Sequence, residues 1–430
     1  MIRSFIFLLL ISTLFSCSPV SQKALNKNFK SLEAKLHDHT GFMLYDPVEK
    51  KELYSYQGGQ YFTPASNTKI FTLYTGLLLL GDSVPALQYL EKGDSLIFRG
   101  TGDPSFLYPL AFDSRNAFDF LKTSNKQLFI VEDNFYATPL GPGWAWSDYY
   151  YTYSAERSAF PLYGNYFTAE YNGSKLNVAP RLFAYDISVG DSTEEAELVR
   201  DLGSNKISFL PGRNQTKPET WEVPFKTGVA LTTSLLSDTL GKKVTVLKNS
   251  RWDSKRTLYS VPADSLYKVM MQESDNFIAE QILLMCAGIL SDSLDPEIAI
   301  VHMKENFLKD LPDQPVWVDG SGLSRFNLFT PRSIVKLWEK IYERVPRERL
   351  FQLLAIGGKT GTIRNWYKND PPYIYGKTGT LSNNHTLSGY LVARSGKTLI
   401  FSFMSNNFPA SSIAVRNEMS TILKSLYEHY

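Results

Sequence analysis

Three short motifs, met in a fixed order, constrain this chain more than any other feature. Ser66-Asn67-Thr68-Lys69 comes first, Ser274-Asp275-Asn276 second and Lys377-Thr378-Gly379-Thr380 third. They read S-x-x-K, S-D-N and K-T-G. In these terms a hydroxyl nucleophile has an amine close by, a second polar pair, and a cation in a strand that also offers backbone N–H groups. Any one of them recurs by accident in many chains, whereas the ordered set does not. Ser274 lies 205 positions beyond Lys69. One site built from all three must therefore be assembled from both ends of the chain, around a long intervening segment.

The chemistry follows from residue type and spacing. Ser66 and Lys69, three apart at the start of an apolar helical run, share one face one turn apart. A serine hydroxyl is a poor nucleophile until a base takes its proton. A lysine serves if its pKa falls, through burial or a second nearby cation, and Lys377 is expected to be that cation. Ser274 is expected to relay a proton toward the leaving amine and Asn276 to hydrogen-bond the substrate backbone. Asp275 should point away and serve structure. Ser, Asp and Asn are also helix-capping residues, so the S-D-N has a purely structural reading as well. The backbone N–H groups of Ser66 and Thr380 are expected to form an oxyanion hole, where one donor contributes roughly 3 kcal/mol.

K-T-G occurs twice, at Lys359-Thr360-Gly361-Thr362 and at Lys377-Thr378-Gly379-Thr380. The second follows Pro372-Tyr373-Ile374-Tyr375 and precedes a strand-like run over 387–393, which suits an edge strand turning into a hairpin. There Lys377 and a threonine hydroxyl, with Thr378, Gly379 and Thr380 as the binding segment, would hold a substrate carboxylate. The first copy follows a helical stretch and a glycine pair and reads as a loop.

The rest of the chain supplies a scaffold. With 430 residues it is too long for one ordinary core. A hydrophobic content of 43% with 20% charged residues describes a globular protein, and a net charge of +2 gives no reason to expect nucleic acid as a partner. Residues 1–17 carry Arg3, an apolar run over 5–15 and Leu14-Phe15-Ser16-Cys17, which resembles the lipobox of a bacterial lipoprotein signal. Cys17 would be lipidated and attach the mature chain to a membrane. Residues 18–35 are polar and read as a linker. Strands are expected over 41–45 and 52–56 and helices over 70–78, 266–290, with S-D-N near its middle, and 330–344. Two further strands and a closing helix over 411–427 complete the chain. Between 86 and 255 recurrent turn signals, such as Gly141-Pro142-Gly143 and Asn172-Gly173, separate short strand-like runs. The divisions are thus 36–85 and 256–430 for the two parts of one domain, with a β-rich insert between them. Cys286 sits in an apolar stretch and reads as a buried structural thiol. The histidines are scattered, His37 and His39 aside, and no metal or cofactor is expected.

With these residues in view, the chain from about residue 40 onward resembles the D-alanyl-D-alanine carboxypeptidase/endopeptidase family of class C, low-molecular-mass penicillin-binding proteins. Beyond the three motifs, the resemblance rests on Gly100-Thr101-Gly102-Asp103-Pro104-Ser105, Gly143-Trp144-Ala145-Trp146-Ser147-Asp148, Asp319-Gly320-Ser321-Gly322-Leu323-Ser324-Arg325 and Gly361-Thr362-Ile363. It implies an α+β penicilloyl-serine transferase (β-lactamase-like) fold, an antiparallel sheet flanked by helices, with a large insert between the first two motifs. It implies hydrolysis of peptidoglycan stem peptides through an acyl-enzyme on Ser66, with Lys69, Ser274, Asn276 and Lys377 as catalytic partners and β-lactams as inhibitors. It also implies that Asp148 recognises the free amine of diaminopimelate, and that the protein is periplasmic, in the cell envelope. Two other readings remain. A serine β-lactamase would add a deacylating glutamate, for which no suitable loop is evident. A non-catalytic peptidoglycan-binding lipoprotein would have no need of the full residue set.

Overall fold

The computed structural model describes residues 21–108, 112, 115–213, 217–248 and 255–430, so the signal segment and Cys17 lie outside the described residues. A six-stranded antiparallel sheet forms the centre. Its strands are β1 (His39–Asp46), β2 (Lys51–Tyr56), β3 (Ile374–Leu381), β4 (Asn384–Val392) and β5 (Thr398–Asn406), with a two-residue edge strand at Ala355–Ile356. The spatial order is edge strand, β3, β4, β5, β1, β2. Strands from both ends of the chain meet where β1 pairs with β5, Phe42 opposite Phe403. β4 and β5 are buried along nearly their whole length because helices cover both faces.

One face is covered by α1 (Gln22–Leu36) and the C-terminal helix, here α6 (Ser412–His429). The other is covered by α2 (Lys69–Leu79), α3 (Ala263–Gln272), α4 (Asn276–Ser291) and α5 (Pro331–Arg344). α4 is buried on every side over residues 277–287, including Cys286, whose thiol burial pushes up to about 12. α5 starts where Thr330 caps Ser333 N–H and Pro331 takes the first turn, which has no partner for its N–H.

Two expectations fail here. Residues 22–36, read as part of a polar linker, form α1. Leu25, Phe29, Leu32 and Leu36 fall at helical spacing and are buried against Phe42, Tyr54 and Phe403. The lysines that made the segment look like a linker occupy the outward face. The helix expected over 266–290 is broken in two, because Ser274 takes φ +64° and Asp275 caps α4 through Ile278 N–H at 2.8 Å. The S-D-N is the joint between α3 and α4, and the capping chemistry of its residues is what makes the joint.

The segment between the first two motifs holds one five-stranded sheet and two three-stranded sheets around a separate apolar cluster. Helices occupy Asn116–Thr123 and Val229–Leu240. The first and last strands of the larger sheet, Ser83–Lys92 and Arg256–Pro262, pair with each other and reach a few residues past the expected 86–255 limits.

Candidate active site

The nucleophile motif begins in a tight turn, Ala65–Thr68, that leads into α2. Ala65 is fully buried with φ +47°, a left-handed conformation that costs an L-residue on the order of 1 kcal/mol and persists only where packing enforces it. The enforcing neighbour is the Asp319–Arg325 loop. Gly322 lies so close that a Cβ there would sit 1.9 Å from the Ala65 carbonyl oxygen. From the other side comes β3, where a Cβ on Gly379 would meet Pro64 O at 2.6 Å and Ser66 N at 2.8 Å. Asn67 ties turn to sheet, its amide donating to Lys377 O at 3.0 Å and Thr386 Oγ1 at 2.8 Å.

Ser66 Oγ is 3.0 Å from Lys69 Nζ. The same amine donates to Asn276 Oδ1 at 2.6 Å and to the Ser321 carbonyl at 2.7 Å. Asn276 is oriented in turn by its Nδ2, which donates to Tyr153 O at 2.9 Å. Lys69 is wholly buried, and burial lowers its pKa to about 8, against the opposing pull of Asp319, Asp275 and Glu280. A neutral amine has two hydrogens and one lone pair. The two fixed acceptors take the hydrogens, and the lone pair is left facing Ser66 Oγ.

Lys377 Nζ donates to Ser274 Oγ at 2.7 Å and to Thr378 O at 2.7 Å. Burial is the largest cause lowering Lys69, and Lys377 is driven well below its usual value first by burial and then by repulsion from the Lys69 charge. That repulsion acts between the two amines, so it disfavours their both being charged at once. Three carboxylates help Lys69 keep its proton, whereas burial and Lys69 both act to remove that of Lys377. Asp275 faces away from the cleft, accepting from Tyr108 OH at 2.5 Å.

Thr378 Oγ1 lies 2.6 Å from Thr362 Oγ1, and Thr380 Oγ1 lies 2.8 Å from His385 Nδ1. The first K-T-G copy therefore ends in a residue that braces the second, while its own Lys359 is exposed on a turn. The cleft above these groups has a volume of about 730 Å³ and is lined by Ser66, Ser274, Asn276, Thr380, Arg325 and Asp148 among others. Beneath it, buried, Lys69 bonds to Ser66 and Asn276 and Lys377 bonds to Ser274, with Thr378 and Gly379 buried next to Lys377 in β3. Asp148 is half-buried and accepts from Tyr153 OH at 3.2 Å. Of the nine residues singled out from the sequence, Ser66, Asp148, Ser274, Asn276 and Thr380 line the cleft, Lys69 and Lys377 are hydrogen-bonded to lining residues from below, and Thr378 and Gly379 follow Lys377 in the same strand. Tyr153 and the Ser321 carbonyl were not foreseen. A backbone carbonyl leaves no side-chain signature, although the glycines flanking Ser321 mark a loop that approaches other backbone closely.

The sequence profile of the D-Ala-D-Ala carboxypeptidase 3 (S13) family matches residues 22–427. The D-alanyl-D-alanine carboxypeptidase DacB of Haemophilus influenzae is 24% identical over 445 residues, covering 93% of this chain and 92% of the relative. A D-alanyl-D-alanine carboxypeptidase of an Actinomadura species is 24% identical over 486 residues, covering 98% and 89%. The crystal structure of penicillin binding protein 4 (dacB) from Haemophilus influenzae shares the fold, with a TM-score of 0.75 at 22% identity over 93% of this chain and 99% of that one.

Proposed function

The chain belongs to the D-Ala-D-Ala carboxypeptidase 3 (S13) family, and on that premise we propose that it is a serine D-alanyl-D-alanine peptidase acting on peptidoglycan stem peptides through an acyl-enzyme on Ser66. The observation that carries the mechanism is the Lys69 amine, held by Asn276 and Ser321 with its nitrogen 3.0 Å from Ser66 Oγ. Lys69 takes the hydroxyl proton as Ser66 Oγ attacks the carbonyl carbon of the penultimate D-alanine. Charge developing on the carbonyl oxygen is met by the N–H groups of Ser66 and Thr380. The C–N bond then breaks, and the proton that Lys69 took passes to the departing amine by way of Ser274, which Lys377 holds at 2.7 Å, leaving Lys69 neutral again. Lys377 and the braced Thr378 and Thr380 hydroxyls bind the terminal carboxylate. Water then attacks the Ser66 ester, restoring the hydroxyl and releasing the shortened peptide. A β-lactam acylates Ser66 by the same first step and inhibits the enzyme.

Asp148, on the cleft lining, pairs with the distal ammonium of diaminopimelate. It carries one side-chain hydrogen bond, from Tyr153, and keeps capacity for a second donor. Among the described residues lining the cleft there is no glutamate to activate a deacylating water, which favours the peptidase over a β-lactamase. Cys17, lipidated, would tether the body to a membrane from the cell-envelope side. α1 begins at Gln22, so the tether spans at most about 14–18 Å. No helix among the described residues is long and apolar enough to cross a membrane.

The test is incubation with purified muropeptides and mass analysis of the products. Loss of the terminal D-alanine from pentapeptide stems marks carboxypeptidase action, and conversion of cross-linked dimers to monomers marks endopeptidase action. Unchanged muropeptides together with sustained nitrocefin turnover would replace the proposal with the β-lactamase reading.

A further inference from the structure

Behind the Lys69 amine lies a buried charge pair that the acyl-transfer steps do not use. Glu280 is one helical turn beyond Asn276 on α4, on the same face, and is wholly buried. Its Oε1 accepts from the N–H groups of Gly320 at 3.0 Å and Ser321 at 2.8 Å. Its Oε2 pairs with Arg157 Nη1 at 3.3 Å, from the segment between the first two motifs. Arg157, 2% exposed, is held by the carbonyls of Thr138 and Leu140 at 3.2 and 3.0 Å. A buried ion pair contributes little net stability, and a packed apolar pair of similar volume commonly does as well. Stability alone does not explain it.

What the pair touches is more specific. Ser321 is the residue whose carbonyl receives a hydrogen bond from Lys69. On its N-terminal side Glu280 holds its N–H. On its C-terminal side Asp319 Oδ1 holds the N–H of Gly322 at 2.9 Å, in the same peptide unit as the Ser321 carbonyl. Gly322 is at φ +81° in a run of two glycines around Ser321, where the backbone has little of its own to fix it. Without both clamps the Ser321 carbonyl is free to rotate away from the amine.

We propose that Glu280, neutralised by Arg157, is a positioning residue for the peptidase reaction. It clamps Ser321 so that the carbonyl takes one hydrogen of the Lys69 amine, and with Asn276 taking the other it aims the lone pair at Ser66 Oγ. The segment between the motifs is thereby joined to the nucleophile through Arg157, Glu280, Ser321 and Lys69. The inference rests on the peptidase reading above.

Two variants isolate the clamp. Glu280→Gln and Glu280→Met lose the same charge and leave the same Arg157 unpaired, but only glutamine keeps an acceptor for the two N–H groups. Acylation by a fluorescent penicillin is followed by stopped flow, resolving the initial binding constant from the acylation rate constant, with thermal melting of each variant alongside. The methionine variant should acylate at least about 30-fold more slowly than the glutamine variant, since small misplacements of a catalytic group cost up to about a hundredfold. Initial binding should stay within about twofold between the two. Should the methionine variant fail to fold, Arg157→Met/Glu280→Met and Arg157→Met/Glu280→Gln, which bury no unpaired charge, carry the same comparison. Equal acylation rates in the folded pair overturn the positioning role while leaving the peptidase reading intact. Wild-type protein that penicillin does not acylate overturns both.

Discussion

If Lys69 is the base, the rate of acylation reports its protonation. The amine is wholly buried and its pKa is lowered to about 8. The sign follows from the role: only the neutral amine accepts the Ser66 proton, so the rate rises with pH and levels off above the pKa. The neutral fraction is about 1% at pH 6, about 9% at pH 7 and one half at pH 8. Acylation should therefore speed up roughly 50-fold between pH 6 and pH 8 and less than about twofold beyond pH 8. Asp275→Asn supplies the perturbation. Asparagine still caps α4, but one of the carboxylates that hold the proton on Lys69 is gone. The acid limb should move down by about half a unit to one unit, raising the rate at pH 7 several-fold. The assay is rapid-quench acylation with a fluorescent penicillin from pH 5.5 to 9.5, with circular dichroism to bound the range in which the protein is folded. A flat profile from pH 6 to 8, or an acid limb that moves up in Asp275→Asn, refutes the reasoning.

Other perturbations separate the parts of the site. Asp148→Ala should lose activity on diaminopimelate-containing stem peptide, by about fivefold for a charge pair of roughly 1 kcal/mol, with unchanged penicillin acylation. Equal loss on both ligands, or none on either, removes its role. Lys359→Ala, at an exposed turn, should acylate within about twofold of wild type, while Thr362→Val should lose its bond to Thr378, roughly 1 kcal/mol and about fivefold in carboxylate-dependent binding. Gly379→Ala places a methyl against Pro64 O and Ser66 N and should slow acylation about a hundredfold, read by the same quench assay. Phe29→Ala removes a ring packed against Phe42 and Tyr54 at 4.9 and 5.6 Å. It should cost about 3–5 kcal/mol in urea unfolding, a loss that a loose linker would not produce.

What could be read from the sequence was the part carried by side chains in fixed local patterns. That Ser66, Lys69, Ser274, Asn276 and Lys377 would be brought together was legible because the three motifs recur as an ordered set, and the fold joins them by hydrogen bonds. The helix α1 was legible in principle, since Leu25, Phe29, Leu32 and Leu36 repeat at helical spacing. Lysines on the outer face masked the pattern. The break at Ser274 was hidden because 266–290 is apolar and helical on both sides, and only Glu273, Ser274 at positive φ and the extended cap Asp275 separate the halves. The Ser321 carbonyl and the clamp on it were not legible at all, and burial of Lys69 was open only as one of two causes. They depend on backbone groups and on burial, which arise only when distant parts of the chain are brought together by the fold.

The most direct test of the central claim is intact-protein mass spectrometry after incubation with benzylpenicillin, followed by peptide mapping. The account predicts a single covalent adduct, located on the peptide that contains Ser66 and absent from Ser66→Ala. No adduct on the wild type, or an adduct on Ser274 or Ser321 instead, would contradict it.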